Sequence, residues 1–113
     1  MTWPQKRQYP RMKTNIPVEL RRPVITTPIR AQTADLCLGG CYLEMAFTQE
    51  VSSEVDIVFW IGESKICAKG VVVSSHPNVG NGLKFTYISP EDQFVLKNYL
   101  ETLQHAGRLM GVS

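Results

Sequence analysis

Residues 35–45 read D-L-C-L-G-G-C-Y-L-E-M, and this stretch decides how the chain is expected to fold. Gly39-Gly40 at its centre breaks regular structure, because glycine adopts positive φ without a Cβ clash. Residues 28–36 before the glycines alternate weakly in polarity, as a strand does, and residues 41–45 follow as a second, short strand. The stretch therefore predicts two strands separated by a glycine turn.

Four further segments read as strands, because they alternate in polarity or are rich in β-branched and aromatic residues. They are residues 15–20, 55–61, 65–75 and 83–87. Pro17 has no backbone donor, which predicts an edge strand or the start of a strand. Residues 76–82 hold a proline, two asparagines and two glycines, and they predict a loop.

A helix is predicted after the last strand. Ser89 is a typical N-cap, Pro90 suits the first helical position, and the acids that follow face the positive end of the helix dipole. Apolar residues then recur at helical spacing, and Gly107 is predicted to end the helix. These positions are Val95, Leu96, Tyr99, Leu100 and Leu103.

Six short strands and one helix predict an all-β dominated fold, a six-stranded antiparallel β-barrel with a C-terminal α-helix. A chain of 113 residues is the size of one domain. We expect residues 1–13 to form a flexible basic loop, because they are polar and contain two prolines. Residues 14–106 are then the barrel with its helix, and residues 107–113 are a tail.

The amino-acid composition indicates in which cellular compartment the protein is expected. Three cysteines cannot all pair, which favours a reducing, intracellular compartment. The N-terminus lacks the apolar region of a secretory signal, and no apolar run is long enough to cross a bilayer. The sequence therefore predicts a cytoplasmic protein without membrane insertion.

The basic residues near the start include an R-x-x-x-R pattern, Arg7 and Arg11. In an extended loop their Cα atoms lie up to about 13 Å apart, and both side chains can still reach one phosphate-bearing ligand. The planar guanidinium binds phosphate oxygens bidentately and stacks on purines. The net charge of +2 is too small for coating a nucleic acid, so we expect a compact anion and no DNA. Taken alone, the pattern favours two solvated surface arginines.

The turn Asp35-Leu36-Cys37-Leu38-Gly39-Gly40 is the second candidate motif. A carboxylate at a strand end accepts hydrogen bonds from the N1–H and N2–H donors of guanine, and Gly40 allows a ligand to approach the backbone. Taken alone, the turn fits equally an Asp35 side chain that caps its own backbone.

Together the two motifs resemble those of the PilZ family, the bacterial receptors of cyclic di-GMP. That family carries R-x-x-x-R near the N-terminus and, after a strand, [D/N]-x-S-x-x-G; Arg7, Arg11, Asp35 and Gly40 match these patterns. The resemblance extends over about residues 5–104 and implies a receptor that signals through its N-terminal loop to an unidentified protein. It implies no catalysis and no cofactor other than the ligand itself.

The resemblance also implies roles for individual residues. The two arginines would hold phosphates and stack on guanine, with Lys6 as a secondary source of charge. Asp35 and the residue at position 37 would bind a guanine edge, and Gly40 would permit the turn, with Gly39 as a secondary candidate. The sequence departs from the family at Cys37, where serine is expected. A thiol is larger and forms weaker hydrogen bonds, so we expect several-fold weaker binding rather than none.

Other chemistry is less well supported. Cys37, Cys41 and Cys67 have no paired metal-ligand spacing, so no metal site is predicted, and the latter two are expected in the core. Nearby arginines would favour a Cys37 thiolate, which leaves a redox-sensitive thiol open. Neither histidine has an evident nucleophile partner, so the chain is not expected to be an enzyme.

Two other function classes remain open. The strands carry few basic residues, which disfavours a barrel that binds single-stranded nucleic acid. A PilZ-like adaptor that docks proteins without binding cyclic di-GMP is the main alternative. The arginine pair distinguishes the two, since members that do not bind the ligand typically lack it.

Overall fold

Seven strands and one helix make up the part of the chain that the structure, a computed structural model, describes, residues 10–23 and 25–109. They are β1 (Met12–Lys13), β2 (Pro17–Arg22), β3 (Ile25–Cys37), β4 (Gly40–Glu44), β5 (Glu54–Ile61), β6 (Ser64–His76), β7 (Gly80–Ile88) and α1 (Pro90–Leu109).

The strands form a closed antiparallel barrel. Hydrogen bonding runs in the order β3-β2-β5-β6-β7-β4, and pairing of β4 with β3 closes the ring. The short β1 pairs with β3 as an additional strand outside that ring. Closure leaves no long unpaired strand edge among the six. The predicted six-stranded barrel with a C-terminal helix is thus confirmed, with β1 added.

Alternation along each strand separates the core from the outer surface. In β4, Cys41 and Leu43 are buried, whereas Tyr42 between them faces outward. Leu96 of α1 is fully buried and joins the same cluster, so the helix packs onto the barrel. The largest fully buried apolar side chains are Leu20, Leu36, Leu43, Ile57, Phe59, Ile66, Val72 and Leu96.

The structure corrects the boundary of the N-terminal loop, which was predicted to extend through Lys13. Met12 and Lys13 instead pair with Leu36 and Asp35 of β3. Backbone hydrogen bonding to β3 continues after Lys13, since the Thr14 amide donates to the Ala34 carbonyl at 3.2 Å. Pairing with a strand more than twenty residues away has no local sequence signal.

The predicted loop over residues 76–82 is also shorter, because β7 begins at Gly80. Asn81 is buried, and its side chain accepts from the Gln49 amide at 2.7 Å and donates to the carbonyls of Gln49 and Ser74. The two flanking glycines pair with β4. A buried, fully bonded asparagine therefore holds this segment in the sheet despite its turn-like composition.

The helix begins as predicted and ends later. The Asp92 amide donates to Ser89 Oγ at 3.2 Å, which makes Ser89 the N-cap. α1 continues past Gly107 to Leu109, into the predicted tail. A glycine within a helix costs only about 1 kcal/mol, which does not force the helix to end. Across residues 10–23 and 25–109, no helical segment combines the length and the apolar character that crossing a bilayer requires.

Candidate ligand-binding site

The two predicted motifs meet at Arg11 and Asp35, which lie 24 residues apart in sequence. Arg11 directly precedes β1, and the antiparallel pairing of β1 with β3 sets Lys13 opposite Asp35. The Nη1 atom of Arg11 then donates to both carboxylate oxygens of Asp35, at 3.4 and 3.5 Å. The short strand β1, which the sequence did not predict, is what brings the two motifs together.

The Arg11–Asp35 ion pair is partly open to solvent. The side chains are 41% and 28% exposed. Ion pairs at such positions contribute about 0–1 kcal/mol, because water screens them and two side chains lose freedom. An incoming anion therefore competes for Arg11 at little cost in stability. Arg7 and Lys6, the other predicted cations of the loop, lie outside the described residues.

Gly40 has a structural role that differs from the predicted one. A Cβ atom at this position would lie 2.1 Å from the carbonyl oxygen of Leu83, so the close approach is made by β7. Gly39 also contacts β7, since its carbonyl accepts from the Phe85 amide at 2.8 Å. Neither Gly39 nor Gly40 takes positive φ; Gly62 does. Gly40 thus permits strand packing, and neither glycine forms a left-handed turn.

Cys37 lies on the same face of β3 as Asp35, two residues away, and is buried with 9% exposure. Cys41 is also buried, as predicted. Burial raises the pKa of the Cys41 thiol, and electrostatic interactions with Asp35 and Cys37 raise it further, while Arg11 opposes them. Cys41 is therefore a protonated, unreactive thiol at neutral pH.

The prediction that Cys67 belongs to the core is wrong. Ile66 and Ala68 point into the barrel, and the side chain between them is exposed. Its backbone amide donates to Asp92 Oδ2 at 3.1 Å, which ties β6 to the start of α1. Among the described residues, no three His, Cys, Asp or Glu side chains converge as metal ligands would.

Leu38 contributes to three cavities, two of which flank the turn that carries the second motif. One, of about 200 Å³, lies between this turn, the segment before β2 and α1; it includes Pro10, Met12 and Leu100. The other, of about 350 Å³, lies between the turn, β7 and the start of α1; it includes Gly39, Lys84 and Phe85. The surface beside the motif is therefore concave on either side of Leu38.

Two lysines that were not assigned to the site border it. Lys13 is the register partner of Asp35, and Lys84 is the register partner of Gly40. Both are exposed. Lys13 and Arg11 thus lie beside the Asp35 carboxylate, and Lys84 adds a third cation at Gly40 of the same turn, an arrangement that suits an anionic ligand. Burial of Leu83 predicts that Lys84 faces outward, but only the register of β4 against β7 brings it to this turn.

Comparison with known proteins gives one family. The model of the PilZ domain family matches residues 5–102. A search among curated proteins by sequence finds no significant match.

Solved structures share the fold. The PilZ domain of YcgR from Escherichia coli, solved with c-di-GMP, superposes with a TM-score of 0.74 at 15% identity, over 95% of this chain and 98% of that one. The PilZ domain of CeSA from a cellulose-synthesising bacterium gives 0.68 at 20% identity, over 84% and 98%. The Bacillus subtilis inhibitor of motility, MotI/DgrA, gives 0.79 at 20% identity over 92% of this chain, which spans only 54% of that protein.

Proposed function

The chain belongs to the PilZ domain family, and on that premise we propose that it is a receptor domain that binds cyclic di-GMP and has no catalytic role. The observation that carries the proposal is the contact between Arg11 and Asp35. Each residue belongs to one of the two family motifs, and each motif alone has an ordinary structural explanation. Their contact across β1 and β3 brings a phosphate-binding group and a guanine-binding group onto one surface.

The solved structures support this proposal by likeness. The PilZ domain of YcgR was determined with c-di-GMP bound, and its fold covers almost the whole of this chain. MotI/DgrA, described as an inhibitor of motility, shares the fold over about half of its length. The process that this chain regulates is not part of the proposal, because fold alone does not specify it.

Binding of cyclic di-GMP would change the hydrogen-bond partners of Arg11 and Asp35. A phosphate oxygen of the ligand replaces Asp35 as the acceptor for Arg11, because a guanidinium and a phosphate form a bidentate, charge-assisted pair. The carboxylate of Asp35 is then free to accept hydrogen bonds from the N1–H and N2–H of a guanine. Lys13 and Lys84 raise the local positive potential, and Arg7 and Lys6 of the N-terminal loop supply further contacts to the phosphates.

Cys37 sets the expected strength of binding. It stands where the family has serine, and its side chain is only 9% exposed. Replacing a hydroxyl by a thiol weakens one hydrogen bond of about 0.5–1.5 kcal/mol, which corresponds to a loss of several-fold in affinity. The proposal is therefore a receptor of reduced affinity, in a protein that acts inside the cell on a partner protein.

Isothermal titration of the full chain with cyclic di-GMP tests the proposal. We expect saturable heat with cyclic di-GMP and none with GTP at the same concentration, because GTP lacks the second guanine and the cyclic backbone. Amide NMR shifts at Asp35, Gly39 and Gly40 should accompany the heat. Neither heat nor amide shifts at high micromolar cyclic di-GMP would overturn the receptor proposal and favour the adaptor that docks proteins without this ligand.

A further inference from the structure

Tyr42 and His76 form an aromatic pair on the outer surface of the barrel, next to the candidate site. The Tyr42 hydroxyl and Nδ1 of His76 form a hydrogen bond at 3.0 Å. The two ring centroids are 5.8 Å apart, and the ring planes are tilted by 44°. Tyr42 is half-buried and His76 is exposed, so the pair is fixed in place and still accessible.

Register places this pair beside Asp35. Asp35 of β3 is the direct partner of Tyr42 of β4, and Tyr42 is the direct partner of Gly82 of β7. Residues that are paired in this way point to the same face, with Cβ atoms about 4.5–5.5 Å apart. The face is the outer one, because the neighbours of Tyr42 in β4 are buried. The Tyr42 side chain thus starts on the strand next to the one that carries the Asp35 carboxylate.

The ring of Tyr42 extends across β7 towards β6. A Cβ atom at Gly80 would lie 2.7 Å from Cε1 of Tyr42, so the ring occupies the space above this glycine. At Gly82, a Cβ atom would lie 2.4 Å from Oγ of Ser74. Both glycines are buried, because the Tyr42 ring covers Gly80 and the Ser74 side chain covers Gly82. The outer surface between Asp35 and His76 is therefore formed mainly by the Tyr42 ring.

A fixed aromatic ring one strand away from a carboxylate suits a purine. Bases stack on tyrosine and histidine rings, because each has a polarisable π-face. A guanine whose edge is held by Asp35 brings its ring system over the neighbouring strand, which is β4. The hydrogen bond between Tyr42 and His76 keeps the tyrosine in one orientation, so little side-chain entropy is lost when a base packs against it.

We propose that Tyr42 contacts a guanine base of the ligand and that His76 is a positioning residue for the Tyr42 ring. This inference rests on the proposed function and extends the ligand surface from β3 to β4, β7 and β6. Removal of the ring should weaken cyclic di-GMP binding roughly 5- to 100-fold, the range of one base–aromatic stack. Loss of the imidazole alone should weaken it less than loss of the ring.

Titration calorimetry on matched variants tests the inference. Tyr42→Ala and Tyr42→Leu should both lose affinity, and Tyr42→Phe should retain most of it because the ring remains. Tyr42→Leu keeps apolar bulk above Gly80, so it serves if the alanine variant does not fold. Trp60→Ala, which removes an exposed aromatic ring of β5 away from both cavities beside the turn, is the control and should bind normally.

A second measurement follows His76 directly. The chain contains two histidines, so their imidazole NMR signals are readily assigned by substituting His105. Cyclic di-GMP should shift the His76 signals and leave those of His105, on α1, unchanged. His76→Ala should weaken binding, whereas His105→Ala should not.

The outcomes separate the two proposals. If the unsubstituted chain binds cyclic di-GMP and the alanine and leucine variants at Tyr42 bind it equally well, this inference is wrong and the receptor proposal stands. Unmoved His76 signals at saturating ligand would overturn it as well. Absence of binding by the unsubstituted chain overturns both.

Discussion

At the scale of single residues, the Arg11–Asp35 pair is suited to being opened. It joins two partly exposed side chains at 3.4 Å, which is long for a charge-assisted hydrogen bond. Its contribution to the free energy of unfolding is small, whereas its two groups are those that a cyclic dinucleotide requires. On the proposed function, a ligand would take the place of Asp35 at Arg11 and then engage both groups.

Substitution of Arg11 should therefore separate binding from stability. We expect Arg11→Ala to reduce affinity for cyclic di-GMP at least about tenfold, since a charged hydrogen bond to phosphate contributes about 1.5–3 kcal/mol. The free energy of unfolding should change by less than about 1 kcal/mol. Calorimetry and urea unfolding measure the two effects.

Arg21→Ala is the matched control for that experiment. Arg21 forms a comparable surface pair with Glu19, at 3.1 Å, on β2. The control variant should bind like the unsubstituted chain. Full affinity in Arg11→Ala would mean that this arginine does not contact the ligand.

Cys37 allows the opposite test, a substitution that is expected to increase the affinity for cyclic di-GMP. We expect Cys37→Ser to preserve binding or tighten it several-fold, because a hydroxyl is the stronger hydrogen-bond partner. Cys67→Ser, at an exposed position on β6 that lines neither cavity, should leave affinity unchanged. A marked loss in Cys37→Ser, measured by the same titration, would show that the turn does not bind as the family motif implies.

At the scale of elements, the contact between β4 and β7 determines the shape of the site. Gly40 is packed against the backbone of Leu83, and the carbonyl of Gly39 is bonded to β7. The turn that carries Asp35 and Cys37 is thus supported from outside its own hairpin. Its geometry depends on strand packing rather than on the conformational freedom of glycine.

A methyl group at Gly40 should therefore be strongly destabilising. It would lie 2.1 Å from a backbone oxygen, which cannot rotate away as a side chain can. We expect Gly40→Ala to lower the free energy of unfolding by about 2–4 kcal/mol, as forced overpacking does. Urea unfolding followed by circular dichroism measures the change.

Gly62→Ala gives the comparison. Gly62 has φ of 61°, and a methyl group there would meet no other atom within 4 Å, so only backbone strain of about 1–2 kcal/mol applies. A smaller loss at Gly40 than at Gly62 would contradict the packing role given to Gly40.

The elements also show what sequence reasoning reached and where it stopped. Ser89 and Pro90 predicted the start of α1, because helix caps are local in sequence. The strands of residues 55–61 and 65–75 were found from alternation and composition. The short β1 and the first residues of β7 were not, because Met12 is held by Leu36, and Gly80 by Glu44, far along the chain.

The site shows the same division. The motif residues Arg11, Asp35, Cys37 and Gly40 were named from their spacing and the family resemblance. Lys84 and Tyr42 became candidates only when the register of β4 was known, since an outward-facing residue on a strand gives no sign of its neighbour. The packing role of Gly40 was likewise invisible, because it depends on the position of Leu83.

At the scale of the whole molecule, charge should govern affinity more than it governs folding. Lys13, Lys84 and Arg11 surround the site, yet the net charge of the chain is only +2. Attraction to the ligand phosphates is therefore local and open to screening, whereas the barrel is held by buried apolar side chains.

Salt should then weaken binding without unfolding the protein. The Debye length falls from about 10 Å at about 0.1 M salt to about 3 Å at about 1 M. We expect the Kd for cyclic di-GMP to rise several-fold over this range while the Tm stays nearly constant. Calorimetry and thermal unfolding at both concentrations provide the check. A Kd that does not change would mean that stacking and uncharged hydrogen bonds dominate recognition.

Closure of the barrel bears on how such a domain would communicate. Each of its six strands is bonded to two neighbours, so none can slide without breaking a ladder on either side. α1 and the segment before β2 lie outside this ring, and Leu38 touches the hollow between them. On the proposed function, occupation of the site would therefore be transmitted as a change in the position of α1 and of the segment before β2. The six strands of the barrel would keep their positions while α1 and that segment move.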